Sequence, residues 1–245
     1  MFKHYFSTAV RNLLRNKFQT LFSIVGLAVA FFCFGICTYF IYGFLSMDTY
    51  YKNHDRVLML KADHRVSGTR PQWIRTMQEQ CPEVESVFRF YEESNNYKHD
   101  ELGDNINMVV ITCDTTLRHI YNPRLRAGSW QAAEHSPNSM LLTESYARKF
   151  FGTPEQAIGQ QFVYRTGFHY QEENINNTYT VQAVVEDLPF NNSLLTFCDL
   201  AAWVFNDVDV PWLNGSDDGM LFEPRILLRK GVDPDAFIRL LDEQK

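Results

Sequence analysis

The sequence predicts an α+β protein: an N-terminal transmembrane helix followed by an extracytoplasmic mixed-sheet domain of short strands and helices. Three observations carry that prediction. Phe18 to Met47 holds thirty consecutive residues without a charged side chain. Four cations and no anion precede this run. Beyond it, stretches of strand-like and helix-like spacing alternate over nearly 200 residues, enough for one large domain or two small ones.

Residues 1–17 read as a cytoplasmic amphipathic helix. Phe2, Tyr5, Phe6, Ala9, Val10, Leu13 and Leu14 recur at steps of three and four, and Lys3, His4, Arg11, Asn12 and Arg15 fill the other face. Such a helix lies in the inner headgroup layer with its cations near anionic lipid. Residues 18–47 form the transmembrane helix. Leu21 to Leu45 is almost wholly apolar, and at about 1.5 Å per residue it is roughly 37 Å long, against a hydrocarbon core of roughly 30 Å. A signal peptide has an apolar region of only about 7–15 residues and a small-residue cleavage site. The exit Phe44-Leu45-Ser46-Met47-Asp48 offers none. Lys3, Arg11, Arg15 and Lys17 before the span outnumber Lys52 and Arg56 after it. The N-terminus is therefore expected in the cytoplasm and residues 48–245 outside it.

In the external part, Arg56 to Leu60 reads as a strand, and Arg70 to Gln80 as a short helix stopped at Cys81-Pro82. Glu83 to Tyr91 alternates in strand fashion, and Ile106 to Thr112 is an apolar, β-branched strand. Asp114 suits the N-cap of a helix over Thr115 to Tyr121. Met140 to Leu142 is a strand. Glu144 to Phe151 is a helix closed by Gly152 and followed by Pro154. Strands are expected at Gln161 to Arg165 and Tyr179 to Val185, with a turn at Asn174 to Asn177 between them. Pro224 to Arg229 is a final strand, and Asp233-Pro234 opens a helix carrying Phe237, Leu240 and Leu241.

Composition excludes several functions. The chain has 23 basic and 29 acidic residues; after Lys17 the balance is 19 against 29. Nucleic-acid binding needs a basic footprint, so none is expected. Cys33 and Cys37 lie on one face of the span, while Cys81, Cys113 and Cys198 are external and odd in number, so at most one internal disulfide can form. His4, His54, His64, His99, His119, His135 and His169 are scattered, and no metal or cofactor site is expected. Neither G-x-S-x-G, H-E-x-x-H nor a Gly-rich phosphate loop occurs, so no catalytic residue is assigned and ATP hydrolysis cannot arise here. Asp207, Asp209, Asp217 and Asp218 cluster around Trp212 and Gly215, but their spacing fails the calcium-loop pattern and reads as a solvated loop. The sequons at Asn176, Asn191 and Asn214 read as turn chemistry. Trp203, Phe205 and Trp212 are candidate contact residues, although buried aromatics are the commoner case.

An ordered set of motifs then carries a resemblance. Asp114-Thr115-Thr116-Leu117, Leu125-Arg126-Ala127-Gly128, Ser139 to Gly152 with its Ala-x-x-Phe-Phe-Gly helix, Ala157-Ile158-Gly159, and Tyr179 to Pro189 with Asn192-Ser193 follow one another. Together with Arg15-Asn16-Lys17 and the apolar span, this set resembles the MacB-like periplasmic core domain, and covers nearly the whole chain. Each motif position reads as a fold determinant. Ala147 allows close helix–sheet approach, Phe150 and Phe151 add buried area, Gly152 ends a helix and Gly159 makes a turn.

The resemblance implies a permease subunit of a MacB/FtsX-type ABC transporter in the bacterial inner membrane. It implies a cytoplasmic ABC ATPase, a second permease subunit forming a dimer, and a periplasmic or outer-membrane partner. ATP-driven motion would pass to the external domain, acting in export of lipoprotein, peptide or small molecules. Such permeases carry three further membrane helices, and no second apolar span occurs before Lys245. The expectation is therefore the front portion of a longer permease. The alternative is a single-pass, membrane-anchored binding or sensing module without an ATPase.

Overall fold

The computed structural model describes residues 5, 11, 15–59, 77–165, 178–195, 199–205 and 224–243. The contact pattern divides the chain into Met1–Met47 and Asp48–Lys245. In the first unit, helix α1 (Lys17–Leu45) is long and apolar enough to cross a membrane, and none of its residues is buried by protein. Two hydroxyls bond back to the helix backbone: Thr38 Oγ1 donates to Phe34 O at 2.8 Å, and the C-cap Ser46 Oγ donates to Tyr42 O at 2.7 Å. That pairing suits a helix with no water around it. Most of the expected amphipathic helix over residues 1–17 lies outside the described residues.

The second unit opens with a single 3₁₀ turn (His54–Arg56) and strand β1 (Val57–Met59). It continues through β2 (Val84–Phe88), β3 (Phe90–His99), β4 (Gly103–Cys113), α2 (Leu117–Ile120), β5 (Leu125–Gly128) and α3 (Trp130–His135). Next come β6 (Ser139–Thr143), α4 (Glu144–Phe151), α5 (Pro154–Ala157), β7 (Gln161–Arg165), β8 (Thr178–Val185), β9 (Ala202–Phe205), β10 (Arg225–Leu228) and α6 (Pro234–Glu243). Of the predicted helix over Arg70 to Gln80, Met77 to Gln80 are described and helical; the Asn174 to Asn177 turn lies outside the described residues.

Two sheets result. One is antiparallel with order β1-β10-β2; the other is mixed with order β5-β8-β6-β9-β4-β3-β7. Strand β8 also pairs with β7, through Thr178↔Val163, Tyr179↔Phe162 and Thr180↔Gln161, while its later residues pair with β5. The series β8-β6-β9-β4-β3-β7 therefore closes on itself, leaving β5 as a flap on the second half of β8. Closure removes open strand edges within the ring.

Alternation along the strands separates two cores. The inner side of the ring holds Tyr97, Met108, Val110, Met140, Leu142, Phe162, Val181, Ala202 and Val204. Helix α4 closes one end: Ala147 is buried, and the rings of Phe151 and Phe162 lie 5.3 and 5.1 Å from the His99 imidazole. The outer side carries Ile111, Cys113, Leu141, Val185, Trp203 and Phe205, packed with Leu117 and Ile120 of α2 and Ala133 of α3. A third, smaller core joins Val84, Val87, Ile226 and Leu228 to Phe237 of α6 and Met77.

Several boundaries differ from expectation. The strand expected over Glu83 to Tyr91 is interrupted at Arg89, which reaches across to Asp114 at 3.3 Å, and the chain continues as a ten-residue strand that propensity does not announce. Asp114 does not cap a helix over Thr115 to Tyr121. It accepts a hydrogen bond from Thr116 N at 3.1 Å and one from the Thr116 hydroxyl, holding an Asx turn that leaves only Leu117–Ile120 helical. Trp203 and Phe205, offered as contact residues, are instead buried in strand β9.

Candidate functional site

The residues that follow the apolar helix are tied to several distant segments of the external unit. Asp48 has φ +60°, a left-handed conformation rare for a non-glycine residue. Its N–H donates to Asn191 O at 2.8 Å, and its Oδ1 accepts from Ser193 N at 2.8 Å. The turn that meets it is built by Asn192, whose Nδ2 donates to Pro189 O while its Oδ1 accepts from Leu194 N and Leu195 N. Ser193 is also held from the other side: Arg225 Nη2 reaches Ser193 O at 3.3 Å and Ser193 Oγ at 3.4 Å.

Arg225 is 2 % exposed, and its guanidinium lies 5.2 Å above the Phe90 ring. A buried guanidinium is retained where aromatic faces and carbonyls replace its hydration. Tyr51 and Tyr121 pack edge to face beside it, with centroids 5.0 Å apart, and Tyr121 also contacts Phe88 and Trp203. Burial pushes the Tyr51 and Tyr121 phenols above their ordinary range; Asp48 reinforces this and Arg225 opposes it. Both phenols stay neutral at physiological pH.

Three further ties complete the junction. Arg56 Nη1 pairs with Glu85 at 2.8 Å and also donates to Leu228 O; its Nη2 donates to Asn53 Oδ1 at 2.9 Å. Asn53 Nδ2 donates to His119 O of α2 at 3.0 Å. Strand β1 then pairs with β10 through Val57↔Leu227, Leu58↔Ile226 and Met59↔Arg225. Residues 48–59 are thus fastened to the Asn191 turn, to β2, to β10 and to α2. Sequence reasoning passed over Asp48, Tyr51 and Arg225. The usable signal was the Asn192-Ser193 motif, which builds the partner turn.

A second polar cluster stands inside the strand ring. By register, Tyr91, Glu93, Asn95 and Tyr97 of β3 share the inner face with Thr112, Val110 and Met108 of β4. Tyr164 of β7 lies opposite Tyr97, and Tyr179 of β8 lies opposite Phe162. The Tyr97 ring is 5.6 Å from Tyr164 and 6.4 Å from Tyr179. Asn95 Nδ2 and the Tyr91 hydroxyl donate to the Glu93 carboxylate. Burial nevertheless raises the Glu93 carboxyl above its ordinary range, and the Tyr179 phenol is pushed up to about 12, first by burial and then by Glu93.

A raised folded-state value means that the folded chain holds the Glu93 proton more tightly than the unfolded one. Stability then falls as pH rises from the ordinary carboxylate range through the folded value, and the loss persists above it. Glu93→Gln keeps an acceptor for Asn95 and Tyr91 without the charge. The variant is expected to melt at the same or a higher temperature at pH 7, with a flatter decline from acid to neutral pH. Thermal melts of the full chain in detergent across that range measure it.

Remaining sequence candidates are dispersed. Cys33 and Cys37 lie on α1, Cys81 is partly buried and Cys113 buried, all as free thiols; burial pushes the Cys113 thiol well up. Cys198, Trp212 and the acidic residues from Asp207 to Asp218 lie outside the described residues. Among the described residues no group of three His, Cys, Asp or Glu side chains converges.

Two motifs acquire structural meaning here. Asp187 Oδ1 accepts from Ser145 N at 3.1 Å in the first turn of α4, and Glu144 pairs with Arg126 at 2.7 Å. The Glu186-Asp187 and Thr143-Glu144-Ser145 segments are therefore the two halves of one helix-start contact. The family model of the MacB-like periplasmic core domain matches residues 20–243.

The chain belongs to that family.

Its type of domain is the one carried by MacB/FtsX-type permeases of ABC transporters. A crystal structure of a domain of a protein classed as a permease from Porphyromonas gingivalis is similar in fold. It has a TM-score of 0.61 and 20% identity, over 79% of this chain and 84% of that one. The periplasmic region of MacB from Actinobacillus actinomycetemcomitans is similar with a TM-score of 0.53 and 10% identity, over 78% and 83% of the two chains. No curated protein matches. At these identities the likeness is one of fold. The family assignment and the exposed apolar helix together support a membrane-anchored MacB-like chain with an extracytoplasmic domain.

Proposed function

We propose that this MacB-like chain is the permease portion that carries ATP-driven motion across the inner membrane to an external domain. In this reading residues 1–17 form a cytoplasmic interfacial helix, 18–47 span the membrane, and 48–245 form the periplasmic core domain. A cytoplasmic ABC ATPase supplies the motion, and a second permease subunit completes a dimer. The domain acts on a periplasmic or outer-membrane partner in export of lipoprotein, peptide or small molecules. The family supports the class of machine.

The observation that carries the reading is the junction at Asp48. A tether that merely held a domain at the membrane would favour a loose linker, because ordering a segment costs entropy. Instead the residues after the apolar helix are fixed to four elements, and the left-handed Asp48 is held in place by the Asn191 turn. Displacement of Asp48 must therefore displace β10 and its neighbours.

Two measurements test this. Protease added outside spheroplasts is expected to digest residues 48–245 and spare the N-terminus. Purification of the natural gene product from membranes is expected to bring an ATPase with it. Digestion of the domain only in inverted vesicles, or repeated purification without any ATPase, overturns the reading.

A further inference from the structure

The Glu93 cluster has the chemistry of a binding site, and it stands independently of the transport reading. A ring of strands closed at one end by α4 is a common setting for small ligands, because the interior is shaped and partly desolvated. At the level of Glu93 the inner face sets this carboxylate and Asn95 opposite the buried Val110 and Met108, so the polar groups stand on one wall above an apolar floor. Tyr91, Tyr97, Tyr164 and Tyr179 come from three strands; Tyr91 and Tyr97 share the Glu93 face by register, and the Tyr97 ring lies 5.6 Å from Tyr164 and 6.4 Å from Tyr179. Glu93, Asn95, Tyr91, Tyr164 and Tyr179 each keep part of their surface in solvent, whereas Tyr97 is buried beneath them.

The charge balance points to the occupant. Among the described residues Glu93 makes no ion pair; its only stabilising neighbours are neutral, the Asn95 amide and the Tyr91 hydroxyl. A carboxylate held away from water in this way gains most from a cation. Phenol oxygens accept hydrogen bonds, and tyrosine rings attract cations through their π faces. Among the described residues Glu93 is the one anionic group on this face, so a singly charged cation balances it, and no second carboxylate stands beside it for a multivalent metal. We propose that the mouth of this strand ring binds an alkylammonium group, with Glu93 as counter-ion and Tyr91, Tyr164 and Tyr179 as its hydroxyl and aromatic lining.

The test uses the full chain in detergent micelles, labelled with 3-fluorotyrosine and titrated with n-butylammonium chloride. The controls are n-butanol, which has the same chain without charge, and sodium chloride at equal ionic strength. A saturable shift in a few fluorine resonances is expected with the amine and with neither control. Glu93→Gln is expected to weaken the amine response at least about tenfold, the scale of one charge-assisted hydrogen bond. Tyr179→Phe removes one hydroxyl while keeping the ring, and is expected to weaken it several-fold. It decides the matter should the first variant lose its native near-ultraviolet spectrum. No saturable shift up to about 50 mM amine, a range covering affinities weaker than 1 mM, overturns the proposal. So does an equal response in both variants, or one matched by n-butanol. None of these outcomes bears on ATPase association or topology.

Discussion

On the proposed transport reading, inserting a flexible Gly-Ser-Gly tripeptide between Met47 and Asp48 is expected to abolish ATP-dependent motion of the external domain while leaving that domain folded. Three such residues add roughly 10 Å of slack. Helix shifts in conformational switches are on the order of 1–5 Å, so the slack absorbs the stroke. The Asp48 hydrogen bonds to Asn191 and Ser193, the Arg225 contacts and the Arg56 ties all lie on the domain side of the insertion. The domain's melting temperature should therefore change by no more than about 2 °C, as for a surface change of about half a kcal/mol. A fluorophore at Asp104, which is 69% exposed in the β3–β4 hairpin, reports the difference between ATP-bound and nucleotide-free complexes. That difference should fall at least about tenfold. The same tripeptide between Lys230 and Gly231, an exposed turn, is the control and should leave the signal intact. A full signal from the Met47–Asp48 insertion would mean that motion reaches the domain by another route.

The parts of this arrangement that the sequence disclosed share a physical cause. The span is legible because lipid tolerates few charges over such a length. Helix α4 is legible because an amphipathic spacing, a glycine stop and a following proline coincide at Glu144 to Pro154. Strands β6, β7, β8 and β10 are legible because their apolar runs are short and bounded. What stayed hidden depends on partners distant in sequence. Strand β3 reads as polar because Glu92, Ser94, Asn96 and Lys98 face away from the ring, and its inner face is itself built from Glu, Asn and Tyr; pairing with β4 makes it a strand. Trp203 and Phe205 looked like loop aromatics because a four-residue strand between β6 and β4 has too few residues to show a period. The junction was least legible. Asp48 and Arg225 are 177 positions apart and both bond to Ser193, and no local pattern marks a buried cation that stacks on a ring and bonds a carbonyl.

Glycine positions in the family motif separate by what surrounds them, and Gly128→Ala is expected to be the most damaging alanine substitution among the described glycines. Gly128 ends β5 with φ +78°, where it pairs with Ala183 of β8. A Cβ there would stand 2.3 Å from Gln182 O and 2.8 Å from Ala183 Cα, both backbone atoms that cannot swing aside. The left-handed conformation costs a residue other than glycine about 1–3 kcal/mol, and forced overpacking adds about 1–3 kcal/mol. A loss on the order of 3 kcal/mol or more follows, and roughly 6–12 °C in melting temperature for a domain of this size. Gly159 has nearly the same backbone, φ +83°, but a Cβ there meets nothing within 4 Å. Its N–H donates to Val181 O at 2.8 Å, a bond that alanine preserves. Gly159→Ala therefore carries only the conformational cost, about 1–3 kcal/mol, without the overpacking. Thermal melts of both variants separate the two causes. Equal losses would mean that the conformational term dominates at both sites and that β5 can move away from β8. A large loss at Gly128 alone would show that the contact between β5 and β8 is close and rigid, fixing the flap that carries Arg126 to Glu144 at the start of α4.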